Sequence, residues 1–126
     1  MSYSRWKDDR FFPLFRNALL RTREDIGAAA LERARDYNMR RYQFQGIGRY
    51  EPDAAYARGV ADLQTVARLI PDGGFVFGGK PSSVDAAIYG CTANVYFYNI
   101  DTPLRDCVLA HPNMVRHCEA THAAVR

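Results

Sequence analysis

Between Asp85 and Asp101 the chain carries no charged residue, and across this stretch Val84, Ile88, Cys91, Val95 and Tyr98 recur at alternating spacings of four and three. That is the period of one helix face. The other faces hold Ala, Gly, Thr, Asn and aromatic residues, and a helix with little charge on any side is expected to be buried on all sides. Gly90 costs such a helix about 1 kcal/mol relative to Ala, which predicts a neighbouring helix passing close to it. Cys91, midway along, is read as core and not as a nucleophile. A chain containing this segment must wrap other helices around it.

The rest of the chain supplies them. Tyr3, Trp6, Phe11, Leu14, Phe15, Ala18 and Leu19 recur at helical spacing, and Pro13 predicts a break near Phe12 with a second short helix starting at Pro13. From Glu24 to about Phe44, good helix formers place Ile26, Ala30, Ala34, Tyr37 and Arg41 on one face. "QGIGRYEPD" reads as a turn. Tyr56, Val60, Leu63, Ala67 and Ile70 then outline an amphipathic helix with Arg58, Asp62 and Thr65 on its other sides. "PDGGFVFGGKPSS" is an ordered loop, its "FVF" too short to found a sheet. A short helix from about Pro103 stops at His111-Pro112, and a last helix runs from Asn113. The fold class is all-α: five to seven helices around a buried central one, in a single domain spanning residues 1–126.

Composition narrows the function classes. With 48% hydrophobic and 13% aromatic residues the chain is not disordered, and no apolar run is long enough to span a bilayer. Three cysteines cannot all pair with one another, and no secretory leader is visible, so a reducing cytoplasm is expected. The net charge of +3 comes almost wholly from arginine, Lys7 and Lys80 being the only lysines. Arginines 33, 35, 40, 41 and 49 lie near Tyr37, Tyr42, Phe44 and Tyr50, but Glu32, Asp36 and Glu51 interrupt them. They read as a solvated helix face, and no nucleic-acid partner is expected.

Ser82 stands three residues before Asp85, the spacing of a capping box, in which the serine oxygen and the carboxylate satisfy amides that a buried helix start cannot leave to water. No second acid, histidine or metal ligand is close in sequence, so Asp85 is read as a structural cap and no catalytic residue is assigned.

These residues carry a resemblance. "FVFGGKP", Ser-x-x-Asp and a charge-poor helix together resemble the carboxy-terminal helical domain of the glutathione S-transferase superfamily, where that box is structural. "YSRWKDD", "FVFGGKPSSVDAAIYG" and "DTPLRDCVLAHPNMVRHCE" further resemble its metaxin-like and failed-axon-connections-like branch, over roughly residues 3–119. The resemblance implies an amino-terminal thioredoxin-like domain that binds glutathione as co-substrate. No such strand-helix-strand segment occurs in this chain, so by itself it is expected to bind no cofactor and to be inactive. It also implies that Tyr3, Trp6 and Arg10, taken to lie on one helix face, line the second-substrate cleft or pack against the other domain. An uncovered interdomain face predicts a homo-oligomer with Tyr3, Trp6 or Phe11 at the contact. The alternative is a non-catalytic interaction or scaffold module of the metaxin-like type.

One metal alternative stays open. Cys107 with His111, and Cys118 with His122, are each four apart and could each offer a thiolate and an imidazole. Pro112 separates the pairs and the spacing matches no zinc module, so no metal is assigned.

Overall fold

The computed structural model describes residues 2–23 and 25–125. Among them it is all-helical: α1 Ser2–Trp6, α2 Phe12–Thr22, α3 Ala28–Gln45, α4 Pro52–Leu69, α5 Ser83–Tyr96, α6 Pro103–Leu109 and α7 Pro112–Ala124, with a short 3-10 turn at Ile47–Arg49. The loop before α5 contains one isolated antiparallel bridge, Phe75 to Gly78, and no strand. The residues group into two compact units, Met1–Ala55 and Tyr56–Arg126, whose boundary falls within α4.

In the first unit the expected break near Pro13 comes earlier. The amides of Lys7 and Asp8 still bond back to Tyr3, and those of Phe11 and Phe12 bond to the Asp8 carbonyl, so the turn over residues 7–11 separates α1 from α2. Pro13 then sits in the first turn of α2, where its missing N–H is harmless. Tyr3, Phe12 and Phe15 are buried, and Trp6 packs edge-on against Phe15 at 4.8 Å. Glu24, taken above as the start of the next helix, lies outside the described residues. α3 begins after Gly27 and ends at Gly46, whose φ of 89° suits glycine. Its buried residues are Leu31 and Tyr42, not the predicted face; Tyr37 and Arg41 are exposed. Arg35 on the inner side explains the shift. Its guanidinium lies 3.9 Å over Phe12 and donates to the Trp6 carbonyl at 3.0 Å, so a charged residue occupies a position that pattern reading assigns to solvent.

In the second unit α4 buries Tyr56, Ala67 and Ile70 with Val60 and Leu63 half-buried, the predicted stripe. α6 and α7 begin at prolines, one residue from where the sequence places them in the case of α7. α5 packs against α6 and α7 but is not buried all round. Its inner face is Asp85, Thr92 and Val95, while Val84, Ala87, Gly90, Cys91 and Asn94 are exposed. Absence of charge therefore marked small residues here, not burial, and Cys91 is a surface thiol. Nor does a neighbour crowd Gly90: a Cβ there would meet nothing within 4 Å. The close approach is at Gly59 in α4, where a Cβ would lie 2.8 Å from Leu104 Cδ2.

Two glycine substitutions should act in opposite directions. Gly90→Ala adds helix propensity without a clash and is expected to stabilise the protein by about 0.5–1 kcal/mol. Gly48→Ala places a Cβ 2.8 Å from the Gln43 nitrogen and the Tyr42 carbonyl carbon, backbone atoms that cannot yield, and is expected to cost about 1–3 kcal/mol. Urea melts of both variants check the signs.

Candidate functional site

The strongest convergence of polar groups is at the start of α5. Asp85 is 0% exposed and accepts four hydrogen bonds. Oδ2 receives the Ser82 amide at 2.8 Å and the Ser82 hydroxyl at 2.6 Å. Oδ1 receives the Val76 amide at 2.9 Å and Nε2 of His117 at 2.8 Å. One carboxylate thus joins the first turn of α5, the loop before it, and α7. Burial alone would raise its pKa. The Ser82 hydroxyl, the Val76 amide, the His117 ring and the Ser82 amide outweigh burial and hold the carboxyl well below the usual carboxylate range.

His117 is also 0% exposed. Because Asp85 only accepts, Nε2 is the donor, while Nδ1 has no hydrogen-bond partner among the described residues and the ring meets Phe75 edge-on at 6.1 Å. Other α7 residues hold the same region. Asn113 donates to the carbonyls of Ala67 and Ile70 at 2.7 and 2.8 Å, closing the carboxy-terminal end of α4. Arg116 donates to the carbonyls of Gly74 and Pro71, both at 2.8 Å. Sequence reasoning singled out none of Asn113, Arg116 or His117 individually. The signal was a helix of weak amphipathicity opening on "HPNMVRHC", where polar residues at helical spacing face inward.

The four candidate metal ligands are not brought together. His111 Nδ1 is 2.7 Å from the carbonyl of Cys107 and 4.0 Å from its sulfur. His122 Nδ1 bonds the Tyr89 hydroxyl, and its ring lies 4.7 Å from that of Phe97. Burial pushes the thiols of Cys107 and Cys118 up, away from thiolate character. No group of three or more His, Cys, Asp or Glu side chains among the described residues could hold a metal ion.

Tyr3, Trp6 and Arg10 do not share a helix face, because α1 ends at Trp6. Tyr3 is 6% exposed and its hydroxyl donates to the Tyr50 carbonyl at 3.3 Å. Burial, with Asp8 and Glu51 nearby, pushes the phenol up, so it is a neutral hydroxyl. Of the three residues named for an oligomer contact, the Tyr3 ring is packed inside, and Trp6 and Phe11 are half-buried. Arg10 projects from the turn, pairs with buried Asp8 at 2.8 Å and reaches Asp53 at 3.4 Å. Tyr3 and Arg10 meet again in an open cleft of about 560 Å³ that Lys7, Arg49, Tyr50 and Glu51 also line. Trp6 is not among its walls.

The Asp85 network sets an acid limit on stability. The unfolded chain takes up this proton near pH 4 and the native carboxyl only well below it. The contribution is therefore complete above about pH 5 and is lost as pH falls toward the native pKa. Asp85→Asn should cost about 3 kcal/mol near neutrality by breaking the buried set, and its deficit against wild type should shrink in acid. Urea melts of both proteins between about pH 6 and pH 3 measure this; a constant deficit contradicts an ionised native Asp85.

Residues 59–121, half of the chain, match the family model described as glutathione S-transferase, C-terminal domain. That span contains the whole Asp85 network and excludes Tyr3, Trp6 and Arg10. Searches of curated proteins and of solved structures each gave no match. All-helical and matched along α4 to α7, the chain belongs to the glutathione S-transferase C-terminal domain family.

Proposed function

We propose that this chain serves as the helical, second-substrate side of a glutathione S-transferase-like protein and is not catalytic by itself. The observation that carries the reading is the cleft shared by Tyr3 and Arg10, two of the three residues that the family resemblance assigns to a substrate wall. Its lining mixes the cations Lys7, Arg10 and Arg49 with the acids Asp8, Asp9, Glu51 and Asp53 beside Tyr50, a surface able to hold a polar conjugate carrying both charges with an apolar part. Ser82 and Asp85 act as a structural helix cap, because a carboxylate saturated by four donors has no lone pair free for a substrate proton. The chemistry, attack of a glutathione thiolate on an electrophile, belongs to a thioredoxin-like partner domain, and the working compartment is the cytoplasm. No helix among the described residues is long and apolar enough to cross a membrane.

A second reading, a non-catalytic interaction module of the metaxin-like or failed-axon-connections-like branch, is supported by the exposed aromatic rings of α3. Calorimetry separates the two. Glutathione should bind to the longest natural product of the gene and not to this chain; binding to neither would favour the module. Lys7→Ala in the longer product, which spares the Arg10–Asp8 pair, should raise KM for the electrophile with kcat little changed, the mark of a binding wall. The transferase-side reading also expects self-association where the partner domain would sit, so light scattering should give a mass above the monomer, and a monodisperse monomer at high concentration would count against it.

A further inference from the structure

The outer face of α3 has no role in either the Asp85 network or the Tyr3 cleft. Ala30, Arg33, Tyr37, Arg40, Arg41 and Phe44 fall on this one side of the helix, and all are exposed. Phe44 is 84% and Tyr37 61% exposed, two turns apart, and between them lies an open hollow of about 460 Å³ walled by these rings with Arg40, Arg41 and Gln45. Arg33, Arg40 and Arg41 form no ion pair among the described residues; Arg41 lies 5.4 Å from the Tyr42 ring. Glu32, on another side of the helix, pairs with Arg16, and Asp36 stands at the edge of the stripe. Two large rings and three guanidinium groups without an ion pair among the described residues, all exposed along one helix, make a surface suited to recognition.

We propose that this face of α3 docks an acidic protein segment, one apolar side chain of which seats between Tyr37 and Phe44 while flanking carboxylates pair with Arg40 and Arg41. Charge complementarity selects the partner: the stripe is cationic, its cations are all arginine, and arginine binds carboxylates through two parallel N–H donors. Composition selects a protein. Tyr, Phe and Arg with no Lys is the make-up of a protein interface core. A lipid-facing helix needs a wider apolar side than two rings and an alanine, and three arginines with Asp36 at their edge are fewer cations than a nucleic-acid backbone calls for. The hollow is open to solvent along one helix face, and Arg40 and Arg41 line it together with the two rings.

The inference is independent of whether the cleft binds a conjugate, and its test uses a different ligand. The probe is a fluorescent synthetic peptide with Asp and Glu on both sides of a leucine, compared with the same peptide carrying Asn and Gln. Anisotropy titrations should show salt-sensitive binding of the acidic peptide and loss of binding for the neutral one. Phe44→Ser and Arg41→Glu should each weaken it about tenfold or more, with melting temperatures unchanged because both side chains are solvent-exposed. Absence of acidic-peptide binding, or binding by either variant as tight as that of the wild type, overturns the proposal. So does preferential binding of phosphatidylserine-rich vesicles or an RNA oligomer, or a self-association that Phe44→Ser abolishes, since a second copy would then cover the face.

Discussion

A carboxylate removed from water must be given donors, and the second unit is organised around the four that Asp85 receives. They come from three separate pieces of chain: the Ser82 turn, the loop amide of Val76, and His117 on α7. Stripping hydration from an ionised carboxylate costs several kcal/mol, so a structure in which any one donor is misplaced is strongly disfavoured. The geometry thus selects one register between α5 and α7. The loop that carries Val76 is fixed a second time by Arg116, whose two nitrogens hold the Gly74 and Pro71 carbonyls. Gly74 and Gly78, at φ of 74° and 120°, allow the sharp path between these anchors.

The first unit solves a similar problem with cations. Asp8 is buried, and Arg10 folds back to it through its own amide and its guanidinium. Arg35 reaches from α3 to the Trp6 carbonyl and to Asp9 while its planar group covers Phe12. Each arginine therefore does two things: it satisfies the turn that separates α1 from α2, and it covers aromatic surface. Of the outer arginines of α3, Arg33 and Arg40 form no ion pair among the described residues and Arg41 only lies over the Tyr42 ring at 5.4 Å, which is why the two sides of this helix differ in meaning although both are basic.

Much of this was legible in the sequence. The bounds of α4, α6 and α7 follow from prolines and the apolar period, and the Ser82–Asp85 spacing pointed to the carboxylate at the centre of the network. What escaped has a physical reason in each case. Pattern reading equates charge with exposure and its absence with burial, and both equations fail where a side chain has two natures. Arg35 lies against Phe12 because its guanidinium can stack on a ring, so the α3 face was misassigned. Gly90 and Cys91 are uncharged yet exposed, since small residues can stand in solvent at little cost. His117 could not be recognised because its partner is 32 positions away, and local spacing reports only local pairs. The cleft was half-anticipated: Tyr3 and Arg10 do meet there, but through a turn at Asp8 and not along a continuous helix.

The same donors that make Asp85 indispensable remove it from chemistry. A general base needs a vacant lone pair aimed at a substrate proton and a pKa near the working pH. Asp85 has neither solvent access nor a carboxyl in that range, and raising its pKa would require taking away the bonds that hold α5 in place. His117 is bound to the same constraint, because its Nε2 is committed to Asp85 and the ring is sealed within the unit. An acid and a histidine at hydrogen-bond distance look like half of a catalytic triad; here burial makes them a fastener. Side chains that the stability of this chain does not use stand elsewhere, along the exposed outer side of α3.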